Sequence, residues 1–113
     1  MHEMALCEGI LQTLQDSAKA QGFSKVKTVW LEIGSLAAVE TEALFFSFDV
    51  VCRNTIAEKA ALEIITIPGS AWCMQCAKPI AVQQRYDCCP ECSSYQLQIT
   101  GGEEMKIKEL EVE

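Results

Sequence analysis

The sequence has one histidine, few basic residues and no long hydrophobic run. Nine Lys and Arg stand against 16 Asp and Glu, so the 113 residues carry a formal net charge of -7. Proteins that bind nucleic acid contact phosphates with clustered Lys and Arg, so this composition argues against nucleic acid as a partner. No apolar run approaches the roughly 20 residues that a membrane-spanning helix needs. No charged segment followed by an apolar leader opens the chain, so we expect no membrane association and a cytoplasmic protein.

Cysteine is abundant by contrast, and five of the seven cysteines lie between residues 73 and 92. They form Cys73-Met74-Gln75-Cys76 and, after twelve residues, Cys89-Pro90-Glu91-Cys92. Two such pairs are typical of a tetrahedral zinc site with four thiolate ligands. Two disulfides would require an oxidising compartment, which the missing leader argues against. An iron site of the rubredoxin kind uses similar spacing, so the spacing leaves zinc and iron open.

The fourth ligand has two candidates, because Cys88 stands directly before Cys89. We assign Cys89, since the segment from Cys89 to Cys92 repeats the two-residue spacing of the first pair. Four thiolates fill a tetrahedral shell and leave no open position for water or substrate, so we expect a structural site. With one histidine and a closed shell, the chain also lacks a nucleophile paired with a base, so we expect no enzyme.

The only histidine, His2, is the second residue of the chain. A free amine on Met1, the His2 imidazole and the ionised backbone amides of His2 and Glu3 would together offer four nitrogens in a plane. That geometry suits nickel(II) or copper(II). The alternative is a histidine in a frayed terminus that has no role. The residues leave both readings open, and they also leave open whether the side chain of Glu3 or Glu40 contributes an oxygen.

The remaining chain predicts an α+β fold. Apolar residues at every fourth position indicate a helix from Met4 to Gln21 that ends at Gly22. Alternation predicts a strand from Val26 to Ile33, and shorter patterns predict strands at 62–67 and 105–112. The Phe-rich segment 39–52 has an apolar face that predicts a second, more buried helix. We expect Cys7 and Cys52 to be buried core thiols.

This order of elements predicts two helices packed on a small three-stranded sheet, with an inserted zinc-ribbon-like four-cysteine module. The last strand should return to the first sheet, because two strands alone form a thin sheet. The domains would be residues 1–68 with 101–113, which contain the candidate nickel site, and residues 69–100, which contain the cysteines. The inserted module has little core of its own in this reading and depends on its metal.

Several motifs in this order resemble the HypA/HybF family of hydrogenase-maturation nickel metallochaperones over essentially the whole length. They are Met1-His2-Glu3, Val29-Trp30-Leu31-Glu32-Ile33-Gly34, the helix ending Val51-Cys52-Arg53-Asn54-Thr55, the paired cysteine turns, and Ile107-Lys108-Glu109-Leu110-Glu111-Val112. Cys88 is a departure from the zinc pattern that we take for the family.

The resemblance implies a nickel site at Met1, His2 and Glu3, with Ni(II) as cargo. It implies a structural Zn(II) on Cys73, Cys76, Cys89 and Cys92. It also implies delivery of nickel to a nickel-iron hydrogenase large-subunit precursor with a HypB-type maturation GTPase, and some members serve urease. A homodimer is compatible with these patterns. The alternative is a zinc-ribbon protein-protein interaction module without metal cargo, in which His2 is incidental.

Overall fold

The computed structural model describes residues 2–113, so the predicted nickel ligand Met1 lies outside the described residues. Within this range the chain forms two α-helices and six β-strands. In order they are α1 (Glu3–Gln21), β1 (Val26–Gly34), α2 (Thr41–Val51), β2 (Ala61–Ile67), β3 (Gly69–Cys73), β4 (Lys78–Val82), β5 (Leu97–Gly101) and β6 (Met105–Val112).

Helix α1 follows the predicted apolar stripe, because Cys7, Ile10 and Leu14 are its buried residues. The helix ends where the sequence indicated. Gly22 adopts a left-handed conformation with φ 82° and its N–H donates to the carbonyl of Ala18 at 2.8 Å. A residue without a Cβ adopts this conformation at little cost, which explains the glycine at this C-terminus.

The first sheet has the strand order β2-β1-β6, so the last strand pairs beside the first, as predicted. Along β1 the buried residues Val29, Leu31 and Ile33 alternate with the more accessible Trp30 and Glu32. This alternation is the two-residue period of a strand with one buried face. The prediction of an α+β fold with two helices, a three-stranded sheet and a four-cysteine module is confirmed.

The apolar face of the second helix is only partly buried. In α2, Leu44 and Phe48 are buried together with the polar Ser47, whereas Phe45 is 45% and Phe46 is 67% exposed. Successive residues of a helix are turned by about 100°, so residues 45 and 46 leave the face that Leu44 and Phe48 share. The helix therefore buries one stripe and leaves two aromatic rings on its outer face.

The four-cysteine region is more structured than predicted, because it contains its own antiparallel sheet with the order β4-β3-β5. The sequence predicts that the module has little core of its own, and the buried cluster there is small. Leu36, Ala71, Ile80 and Val82 form a buried cluster with Cys73 and Cys89. Strand β5 closes this sheet and extends to Gly101.

The chain divides into two compact units. The first comprises the N-terminal segment through Leu31 together with Val39–Ile64 and Ile107–Glu113, and the second comprises Glu32–Ala38 and Ile65–Lys106. In the second unit Gly34 and Gly102 approach so closely that a Cβ on Gly34 would collide with the Gly102 backbone. Only glycine fits at residue 34 without a shift of that backbone. The assignment of residues 69–100 as the inserted module stays a prediction.

Candidate metal centres

Four of the five clustered cysteines bring their sulfurs together. Cys73, Cys76, Cys89 and Cys92 place their Sγ atoms within 4.8 Å of one another. The Cys73 and Cys92 sulfurs are 3.6 Å apart, and the Cys76 and Cys89 sulfurs are 3.9 Å apart. A zinc ion with Zn–S bonds of about 2.3 Å requires sulfurs about 3.8 Å apart at the corners of a tetrahedron. The donor type and these separations therefore fit zinc.

Two turns of similar construction hold the sulfurs. In the first turn the Ala77 N–H donates to the Cys73 carbonyl at 2.8 Å, and in the second the Ser93 N–H donates to the Cys89 carbonyl at 2.9 Å. Ala77 and Ser93 both have positive φ, 53° and 63° respectively. This matched geometry at both pairs explains why a two-residue spacing brings the two sulfurs of each pair to one side of its turn.

Backbone N–H groups also point at the leading sulfur of each turn. The Cys76 N–H lies 3.3 Å from Cys73 Sγ, and the Glu91 N–H lies 3.4 Å from Cys89 Sγ. The hydrogen bond from Cys76 is the main cause that lowers the pKa of Cys73 to about 7. Donors aimed at a sulfur favour its thiolate form, which is the form that binds a metal.

The pKa of the Cys76 thiol shifts in the opposite direction. Its hydrogen bond with the Cys92 thiol is the main cause that raises the pKa of Cys76 to about 12. Four thiolates this close repel one another, so the first thiol ionises readily and the next one loses its proton only at a higher pH. A divalent cation that replaces the protons removes that repulsion, so the cluster has the electrostatics of a cation site.

Cys88 does not belong to this cluster. It is partly buried, and it lines a separate shallow depression with Ala81, Val82 and Asp87. Cys89, the neighbour chosen from the spacing, is completely buried and contributes a sulfur to the cluster. Consecutive residues project their side chains in different directions, so the adjacent Cys88 and Cys89 reach different environments.

An ion pair that sequence reasoning missed joins the two cysteine turns. Lys78 Nζ lies 2.6 Å from Glu91 Oε1, and both side chains are about half exposed. This hydrogen bond is the main cause that raises the pKa of Lys78. The signal was present in the sequence, because Lys78 follows Cys76 by two residues and Glu91 lies between Cys89 and Cys92. Because solvent and salt screen an exposed pair of this kind, it contributes little to stability.

The N-terminal candidate site lies at the start of α1. His2 is exposed and precedes the helix in an extended conformation, and its carbonyl accepts from the Leu6 N–H at 3.1 Å. The first N–H groups of a helix have no partner inside it, so the amide of Glu3 has no intrahelical carbonyl to compete with a metal ion. His2 thus offers an exposed imidazole beside a backbone amide that makes no hydrogen bond within the helix.

Glu3 and Glu40, the two acids that the sequence left open as nickel ligands, contact each other. Glu3 Oε2 accepts from the backbone N–H of Glu40 at 3.4 Å, so the Glu3 carboxylate reaches the residue that precedes α2. The start of α1 and the start of α2 therefore lie side by side in the first unit. This contact connects residue 3 with residue 40, which sequence separation alone does not suggest.

Cys7 and Cys52 are buried in the first unit, as expected for core thiols. The Cys7 thiol donates to the Leu44 carbonyl at 3.6 Å. Burial raises the pKa of each thiol to about 11. Both remain protonated at neutral pH, which suits core packing and not metal binding.

The fold and the cysteine cluster define a class of small α+β proteins with a four-cysteine metal site. Comparison with known families then places the chain: residues 1–112 match the family model described as "Hydrogenase/urease nickel incorporation, metallochaperone, hypA". The chain belongs to this HypA family. Among the described residues, neither helix combines the length and the apolar content needed to cross a lipid bilayer.

Relatives with curated names match over the full length of both chains. The hydrogenase maturation factors HypA of Alkalilimnicola ehrlichii and Azotobacter chroococcum are each 58% identical over 113 residues, with 100% of each chain covered. The solution structure of the Ni metallochaperone HypA from Helicobacter pylori matches with a TM-score of 0.73. It is 24% identical and covers 99% of this chain and 97% of the other. At that identity the structural match shows the fold.

Proposed function

We propose that this protein is a nickel metallochaperone that binds Ni(II) at its N-terminus and delivers it during maturation of a nickel-iron hydrogenase. The ligands are the Met1 amine, the His2 imidazole and the backbone amide nitrogens of His2 and Glu3. The observation that carries the proposal is the exposed His2 directly before α1, in a chain that belongs to the nickel-incorporation family. Four nitrogens in a plane suit nickel(II), and an accessible terminal site allows the ion to leave.

The four-cysteine cluster has the opposite character in this proposal. Zn(II) on Cys73, Cys76, Cys89 and Cys92 would cross-link the two turns and stabilise the second unit. The separations of the four sulfurs support this assignment. A closed shell of four thiolates exchanges its ion slowly, so zinc has a structural role and is not the cargo.

The proposed partners are a HypB-type maturation GTPase and the precursor of the hydrogenase large subunit. The protein acts in the cytoplasm by binding and transfer and not by catalysis. Residues 1–68 with 101–113 form the nickel-binding domain, and residues 69–100 form the zinc-binding module. Support for these assignments comes from membership of the family and from the placement of His2 and the four cysteines in different units.

Nickel titration of four forms of the chain tests the cargo site. The untagged wild type should bind one Ni(II), and its absorption spectrum should be that of planar nickel with mainly nitrogen ligands. His2→Ala should lose this site, and a short N-terminal tag without histidine should lose it as well, because acylation removes the amine as a ligand. The same tag at the C-terminus is the matched control and should leave binding unchanged.

Protons compete with nickel for the amine, the imidazole and the amides, so affinity should fall as pH falls. Zinc content and thermal stability should be the same in all of these forms. If the N-terminally tagged chain and His2→Ala both bind nickel like the untagged wild type, the terminal site does not exist. The zinc-ribbon interaction module would then be the better interpretation of the chain.

A further inference from the structure

The outer face of α2 exposes two adjacent aromatic rings. Phe45 is 45% and Phe46 is 67% exposed, although Leu44 and Phe48 on the other side of the same helix are buried. A phenylalanine side chain has an area of about 150–250 Å², so together the rings present on the order of 200 Å² of aromatic surface. This area is not large for a protein surface, but aromatic side chains are the residues that most often anchor a protein interface.

Acidic side chains flank the two rings. Glu42 precedes Phe45 and Phe46 by three and four residues, and Asp49 follows them by four and three, so both acids are neighbours of both rings on the helix surface. Both acids are exposed, and Asp49 also forms an ion pair with Arg53 at 3.1 Å. The α2 surface, defined as Glu42, Phe45, Phe46 and Asp49, is therefore an aromatic centre with an acidic rim.

The charge of this rim decides between occupants. A second copy of the chain would bring a second acidic rim to this surface and would join two molecules of net charge -7. Like charges facing each other across an interface are unfavourable, whereas basic groups beside apolar ones match the rim and the centre. The complementary partner is a protein segment whose apolar side chains are flanked by Lys or Arg.

The position of the surface relates it to the proposed cargo site. Glu40 receives the Glu3 carboxylate on its backbone N–H, and it directly precedes the first residue of α2. Phe45 and Phe46 follow Glu40 by five and six residues, which is about 8–9 Å along a helix axis. A protein seated on these rings would lie next to the chain terminus that carries His2.

We propose that the α2 surface is the docking site for a basic, apolar segment of the protein that exchanges nickel with this chain. The docking surface stands on the exposed rings and the acidic rim, and only the link to nickel exchange rests on the proposed function. Aromatic residues at the centre of an interface carry a large share of its binding free energy, and a charged rim mainly accelerates association.

Two purified proteins of the same organism serve as probes: the maturation GTPase and the hydrogenase large-subunit precursor. The chain is immobilised with its N-terminus free, and the binding of each probe is measured at low and at high salt. Phe46→Ser should weaken the binding of one of them by about tenfold or more, because its ring is the more exposed of the pair. Glu42→Lys should slow association and reduce its dependence on salt.

Tyr95→Ser is the matched control, because Tyr95 is a 76% exposed aromatic residue of the second unit. It should change binding by less than twofold. The three surface variants Phe46→Ser, Glu42→Lys and Tyr95→Ser should keep the wild-type thermal unfolding curve and the wild-type nickel stoichiometry, since each substituted side chain is exposed and none is a proposed nickel ligand. His2→Ala should lose nickel but keep partner binding, so failure of the cargo site and failure of the docking surface give different results.

The proposal is overturned if neither protein binds the wild-type chain, or if Phe46→Ser leaves both interactions within twofold of wild type. It is also overturned if Tyr95→Ser weakens binding as much as Phe46→Ser does. Sedimentation of the free chain provides the remaining check. A wild-type dimer that Phe46→Ser converts to a monomer would assign the surface to a second copy of the chain instead.

Discussion

Replacing Cys89 with serine removes one sulfur of the four-cysteine cluster, and replacing Cys88 removes its neighbour in the chain. The two substitutions have the same chemistry and differ by one residue in position. Cys89 Sγ lies 3.9 Å from Cys76 Sγ and accepts from the Glu91 N–H, whereas Cys88 lies beside the separate depression near Asp87. We therefore predict that Cys89→Ser impairs zinc binding and that Cys88→Ser does not.

The size of the effect follows from the number of ligands. Structural zinc sites contribute about 10–16 kcal/mol of apparent binding free energy at pH 7, so each of four ligands accounts for about 2.5–4 kcal/mol. A change of about 1.4 kcal/mol is a factor of ten in affinity. A serine hydroxyl is a poor zinc ligand at neutral pH, so Cys89→Ser should weaken zinc binding by about 100-fold to 1000-fold.

Competition with a chromophoric zinc chelator measures both affinities, and elemental analysis of the purified chains gives the occupancy. Wild type and Cys88→Ser should hold one zinc per chain with equal affinity. Cys89→Ser should release its zinc to the chelator and unfold its second unit at a lower temperature, because the cluster is part of the core around Ile80 and Val82. Loss of zinc from Cys88→Ser with retention in Cys89→Ser would refute the ligand assignment, and iron in the wild type would refute the zinc.

Two further predictions concern the first unit. The double variant Ile107→Ala/Leu110→Ala truncates two of the three half-buried apolar side chains of β6, so it should lower the free energy of unfolding by about 2–4 kcal/mol in urea denaturation, whereas the exposed Lys108→Ala should change it little. Equal stability of the two variants would contradict the pairing of β6 in the first sheet. Burial raises the pKa of Cys7 from 9.0 to about 11, so the folded chain keeps a proton that the unfolded chain loses, and stability should fall as pH rises from about 9 to about 11. Cys7→Ala should show a shallower fall over this range, and an unchanged slope would show that the thiol is not buried as described.

The sequence by itself determined the features that depend on short-range patterns. Helix α1 was predicted within one residue of its observed start and at its observed end, because its apolar spacing and Gly22 are local signals. The grouping of Cys73, Cys76, Cys89 and Cys92 was also readable from spacing, since two thiolates two residues apart reach one ion from a single turn. The last strand returned to the first sheet because two strands could not bury a face alone.

The tertiary structure decided what depends on residues distant in the chain. Sequence patterns predict a second, more buried helix with a broad apolar face, and only the packed chain shows that Leu44 and Phe48 are covered while Phe45 and Phe46 are exposed. The core of the cysteine region includes Leu36, which precedes the region by more than thirty residues. The contacts of Glu3 with Glu40 and of Lys78 with Glu91 join separate segments in the same way. Local spacing determines which face of an element is apolar, but only the packed chain determines which part of that face is covered and which polar groups meet.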